Sequence, residues 1–167
     1  MAVATRTEVT VERLSVSAYS VPTDAPESDG TLEWDSTTIV VVEVHAGGES
    51  GLGYTYGPTA VATLIDGDLR SIVHGSNAIV PVYTAGHMCR ALRNAGHLGI
   101  AMLAVSAVDI ALWDLKARML DVPLAATLPR FCSWRTAGRR GRRSHPRRVA
   151  RCAPAWWPSA LPASSPR

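Results

Sequence analysis

Residues 99–123, GIAMLAVSAVDIALWDLKARMLDVP, carry the longest helical pattern in the chain. At about 100° per residue, Ile100, Leu103, Ala104, Ala107, Ala111, Leu115 and Met119 share one broad apolar arc. Ser106, Asp109 and Lys116 gather on the other side. Asp114 and Arg118 fall inside the apolar arc one turn apart, where they can pair with each other. A helix apolar nearly all the way round belongs between layers. Pro123 stops it, and charges interrupt every apolar run well short of a membrane span.

Upstream, the chain reads as strands followed by helices. Residues 7–20 alternate with β-branched positions and predict a strand whose face shifts between Val11 and Leu14. Residues 21–35, VPTDAPESDGTLEWD, read as a long polar loop, and loops of that length usually serve function or motion. Residues 36–46, STTIVVVEVHA, are the strongest strand pattern. GGES at 47–50 then turns the chain into GLGYTY at 51–56. Pro58 opens a predicted helix to about Val73, with Gly67 weakening it near Asp66–Asp68. A second helix runs over 80–94. The expected fold is therefore α+β: a three-stranded antiparallel meander packed on about three helices.

Past Leu128 the pattern changes. Residues 1–129 carry 7 Lys+Arg against 14 Asp+Glu, whereas 130–167 carry 10 arginines and no acid. Such halves are read separately, so the chain divides into a domain at 1–128 and an Arg/Pro-rich tail at 129–167. Nothing in the tail keeps a period of 2 or 3.6, which predicts disorder. An abrupt switch to Arg, Pro, Ala, Ser, Gly and Trp is also what a frame change in a GC-rich gene would produce. The alternative is a genuine basic tail, whose arginines and Trp134, Trp156 and Trp157 would suit nucleic acid or another polyanion.

Three cysteines without a CxxC spacing indicate neither a disulfide framework nor a zinc site. The N-terminal MAVATRTEVTVERLSV has no long apolar core, so no signal peptide is expected and the compartment expected is the cytoplasm. Gly51-Leu52-Gly53 lacks dinucleotide-loop spacing. Asp66-Gly67-Asp68 lacks the later ligands of a calcium loop. Asp109 and Asp114 lie about 140° apart around their helix and cannot share a metal.

With these elements in order, AVSAVDIALWDLKAR at 104–118 followed by Val122-Pro123-Leu124 resembles the last helix and exit of the N-terminal capping domain of the enolase superfamily, in its mandelate racemase and muconate lactonizing group. The resemblance covers about three quarters of the chain. It implies a cap over a following barrel that supplies the Mg²⁺ ligands and the lysine or histidine acid/base groups. In such enzymes a proton next to a carboxylate is abstracted, giving racemisation, cycloisomerisation or acid-sugar dehydration. No lysine follows Lys116 and no acid follows Asp121. The 167 residues are therefore expected to lack catalytic and metal-binding groups and to be inactive alone. The substrate expected of an intact relative is a carboxylate or acid sugar, with Mg²⁺ as its cofactor.

By position, 21–35 and 53–58 match the two specificity loops of that family. Trp34, Tyr54 and Tyr56 are the candidate substrate-binding residues, each with an apolar body and a polar handle. The competing reading makes Tyr54 and Tyr56, on one strand face, core or cross-strand packing. A non-catalytic interaction protein is the alternative function, its exposed barrel-facing surface inviting self-association.

Overall fold

The computed structural model describes residues 8–96 and 98–128. The Arg-rich segment lies outside them, so the disorder and nucleic-acid expectations for it have no structural counterpart here. Three strands, β1 (Arg13–Ser28), β2 (Glu33–Ala46) and β3 (Glu49–Tyr56), form an antiparallel sheet in that order. They are followed by α1 (Ala60–Leu64), α2 (Arg70–Val73), α3 (Pro81–Ala91), α4 (Ile100–Met119) and α5 (Leu124–Thr127). The α+β meander expected from the sequence is the observed fold.

Strand alternation decides which face is covered. Val40, Val42, Val44 and Ala46 of β2 are fully buried, together with Leu14 of β1 and Gly51 and Gly53 of β3. Helix α4 lies across this face, with α1 and α3 packed on its other side. It is thus held between layers, as its nearly continuous apolar coat requires. Ala104, Ala107, Ala111, Leu112 and Leu115 are all buried. Ile100, assigned to the same arc, sits in the first turn and stays 42% exposed.

The contact between α4 and β3 is made backbone to backbone. A methyl group at Gly53 would overlap the Ala107 carbonyl oxygen and lie 2.7 Å from the Ala111 nitrogen. One at Gly51 would overlap the Ala111 carbonyl and lie 2.6 Å from Leu115 Cβ. The strand contributes glycines and the helix alanines at matching positions, so the two axes approach far more closely than side chains would permit. Asp114 secures the outer edge of the same strand. Its Oδ2 accepts the Leu52 backbone N–H at 2.9 Å and Arg118 Nε at 2.9 Å. That carboxylate satisfies a donor that an edge strand would otherwise offer to another chain.

One local expectation is corrected and one refined. Residues 21–35 are not a loop. β1 continues to Ser28 and β2 begins at Glu33, so only the tip between them turns. The prolines that suggested a loop are tolerated because β1 is an edge strand, and its register shifts between Pro22 and Glu27. The weakening expected at Gly67 takes the form of a change of helix type rather than a stop. A π-helical turn, Ile65–Leu69, carries the chain from α1 into α2, and Arg70 pairs with Asp66 through Nε at 2.8 Å.

Candidate functional site

Two features project from the sheet at the end away from the β2–β3 turn. The first is the arm formed by distal β1 and β2. Its tip is ordered by Asp29, whose Oδ1 accepts the Thr31 and Leu32 backbone N–H groups, each at 2.9 Å, and the Thr31 hydroxyl at 2.6 Å. These bonds, the Thr31 hydroxyl foremost, hold the Asp29 carboxyl down to about 2. A carboxylate with a lowered pKa stabilises above its unfolded value near 3.8, and that contribution is lost as pH falls through about 2. The Thr31 and Leu32 amide resonances are therefore expected to keep their positions down to about pH 3 and shift together below it. In Asp29→Asn they should not titrate together in that range.

Trp34 stands on this arm, paired with Glu27, and its ring N–H donates to Glu27 Oε2 at 2.9 Å. Leu32 beside the tip is 69% exposed. The second feature is the end of β3, where the Gly57 N–H donates to the Thr38 carbonyl at 3.2 Å before the chain enters α1. Tyr54 and Tyr56 stand there on one face, opposite Val41 and Ile39 of β2. They are 54% and 62% exposed. Neither tyrosine belongs to the core, which lies on the opposite face, where Gly51 and Gly53 of the same strand meet α4.

Strand parity separates the three candidates. Trp34 is in step with Val40 and Val42 on the α4 side of β2, while Tyr54 and Tyr56 share the other face. The structure thus brings the two tyrosines together and holds the tryptophan apart on the arm. An open groove of about 650 Å³ lies elsewhere, lined by His74, Asn77, Tyr83 and His87 among others.

Asp109 is the one acid of α4 whose environment is unusual. Its Oδ1 is buried with no hydrogen-bond partner, although Ser106 lies one turn away. Burial pushes its pKa up to about 6, an effect that Trp113 beside it partly offsets. Burial and the Asp109 charge together push the half-buried Cys89 thiol up.

Asp109 and Asp114 remain on different sides of α4, and Asp114 is committed to Leu52 and Arg118. No cluster of three His, Cys, Asp or Glu side chains exists among the described residues. These residues do not compose a magnesium site, and no metal-dependent step is assigned to them. No helix among the described residues is long and apolar enough to cross a membrane.

A three-stranded meander closed by one sandwiched helix, with an ordered arm at the sheet's end, defines an α+β domain. The chain belongs to the mandelate racemase / muconate lactonizing enzyme family, whose N-terminal domain matches residues 14–128. A mandelate racemase/muconate lactonizing enzyme-like protein from Rubrobacter xylanophilus is similar in structure. It has a TM-score of 0.70 and 59% identity, over 73% of this chain and 34% of that one. The 3,6-anhydro-alpha-L-galactonate cycloisomerase of Streptomyces coelicolor is 37% identical over 122 residues, covering 68% of this chain and 33% of the relative. L-talarate/galactarate dehydratase from Salmonella typhimurium, solved with Mg and L-lyxarohydroxamate, superposes with a TM-score of 0.64 at 26% identity. That match covers 75% of this chain and 35% of the other. The chain spans about a third of the length of the relatives it matches.

The paired glycines of β3 are what sequence reasoning missed. The signal was present: glycines two apart in a strand, and alanines at 104, 107 and 111 in the helix meant to cover it.

Proposed function

We propose that residues 14–128 serve as the substrate-covering part of an enzyme that removes the proton beside the carboxylate of an acid sugar. The observation that carries this reading is the similarity, over the sheet, arm and α4 together, to a sugar-acid cycloisomerase and a sugar-acid dehydratase. In this reading Trp34 meets the substrate from the arm, and Tyr54 and Tyr56 meet it from the end of the sheet. Each offers a flat apolar body to the carbon chain and one hydrogen-bonding group to its hydroxyls. Bound magnesium would offset carboxylate charge, and it would be held by groups outside the described residues. The chain's own part is to exclude water and fix the sugar's orientation, not to move the proton.

A chimera tests this. Residues 14–128 would replace the matching segment of the Streptomyces coelicolor cycloisomerase. Turnover is expected to persist, and Trp34→Ala and Tyr56→Ala should each raise KM by roughly tenfold, on the order of one good contact, without moving the unfolding midpoint. A folded, active chimera whose KM ignores Trp34, Tyr54 and Tyr56 would exclude the assignment of these residues. Mg²⁺-dependent turnover by the 167-residue chain alone would overturn the division of labour.

A further inference from the structure

We infer that Glu27 decides which acid sugars the proposed site accepts. Held against the edge of the Trp34 ring, its carboxylate receives substrate hydroxyls and turns away a second carboxylate, so the substrate is a monocarboxylate with a neutral far end. This deepens the substrate-covering role proposed for residues 14–128 and rests on it.

The strand register makes the pair. From Arg13↔His45 to Pro22↔Ser36 the β1–β2 ladder runs without a break, and continued in step it would set Asp24 opposite Trp34. Instead residues 23–26 of β1 stand against Asp35 alone, and Glu27 takes the place opposite Trp34. Cross-strand partners share a face. Glutamate, one methylene longer than aspartate, lets Oε2 accept the indole N–H at 2.9 Å. A charged acceptor makes that bond stronger than a neutral one would, and it fixes the rotation of the ring. Trp34 is the one side-chain partner of Glu27 among the described residues. The second oxygen, Oε1, is left for a ligand hydroxyl.

Nothing nearby in this segment offsets the Glu27 charge. Residues 21–35 contain Asp24, Glu27, Asp29, Glu33 and Asp35, and the whole stretch from Leu14 to Leu69 has no Lys or Arg. Arg13 and Arg70 lie at the other end of β1, on the His45 ring and the Leu14 carbonyl. A ligand atom touching the N–H edge of Trp34 comes within roughly 4–6 Å of the Glu27 carboxylate. There a hydroxyl, which both donates and accepts, gains a fully charged acceptor beside a ring donor. A carboxylate meets like charge instead. A sugar acid charged at one end places that end away from the arm, whereas one charged at both ends brings a carboxylate to it.

Two measurements test this. In the 167-residue chain, the Trp34 indole N–H resonance is assigned by its loss in Trp34→Phe. It is expected to move upfield in Glu27→Ala and to keep most of its position in Glu27→Gln, whose amide oxygen still accepts. A resonance indifferent to Glu27→Ala overturns the pair and the proposal with it. The second measurement uses the chimera carrying residues 14–128 in the Streptomyces coelicolor cycloisomerase, with 3,6-anhydro-alpha-L-galactonate, a monocarboxylate, as substrate. Galactarate, a dicarboxylate, is the competitor. Glu27→Gln keeps the shape and removes the charge, so the ratio of galactarate Ki to substrate KM should fall by at least about tenfold, and by less as salt is raised. A KM that responds to Trp34→Ala beside an unchanged ratio in Glu27→Gln overturns this inference and leaves the substrate-covering role standing. A KM that ignores Trp34, Tyr54 and Tyr56 overturns both.

Discussion

Gly53→Ala is expected to destabilise the domain by at least about 3 kcal/mol, and in most conditions to leave it unfolded. The added methyl would overlap the Ala107 carbonyl oxygen and crowd the Ala111 nitrogen and Cβ. Two of these three atoms are helix backbone, which cannot rotate aside as a side chain would. The neighbouring structure must therefore shift as a body, separating β3 from α4 and opening the core built on Val42, Ala107 and Ala111. Gly67→Ala is the control. Gly67 is exposed, and a Cβ there would meet nothing within 4 Å. The same chemical change is expected to be neutral or to stabilise by up to about 1 kcal/mol through a better helix propensity. Urea unfolding of the two variants checks the pair. Equal small effects would mean that the strand and helix do not meet as described.

Asp109→Asn is expected to make the domain more stable at neutral pH, by on the order of 2 kcal/mol, and indistinguishable from the parent near pH 4. The cause is the raised pKa of the buried carboxyl. A carboxyl whose folded value is about 6, against 3.8 for the free group, binds more protons in the native state throughout that window. Stability is then greatest below about pH 4 and declines as pH rises through about 6, where a buried, incompletely bonded carboxylate has to form. Asparagine has the same shape and no charge, so the decline should vanish. The quantity to measure is the difference in unfolding free energy between parent and variant at successive pH values, because other titrating groups cancel in it. A difference that stays constant from pH 4 to pH 7.5 would show that Asp109 is solvated in the folded protein.

Much of the fold was legible because hydrophobic period reports packing directly. The residues of α4 and the β2 run STTIVVVEVHA placed the sandwiched helix and the central strand, and Gly47-Gly48 placed the turn between β2 and β3. The Asp114–Arg118 pair also followed from spacing alone, and the structure adds the strand N–H that the pair supports. The arm was misread for a physical reason. Pro22, Pro26 and a polar composition describe a segment exposed on both sides, which a loop and a two-stranded ribbon at a sheet edge have in common. Exposure of Tyr54 and Tyr56 could not be read from alternation, because alternation says that two residues share a face and not which face is covered. Gly51 and Gly53 decide that, by being the only positions of β3 that let a helix come so near. The buried Asp109 carboxyl could not be read from the sequence, because spacing shows which residues are adjacent around a helix and nothing of the desolvation between them.

The close seat of α4 on β3 also sets an order of events during synthesis. Gly53 meets Ala107 and Ala111, more than fifty positions later in the chain. The β2–β3 hairpin can pair locally within microseconds of leaving the ribosome. Its apolar face must then wait for some sixty further residues to be added, a delay of about 3–12 s at ordinary elongation rates. Throughout that interval Val40, Val42 and Val44 have no helix to cover them, so the nascent sheet is the stage at which a chaperone has the most to bind.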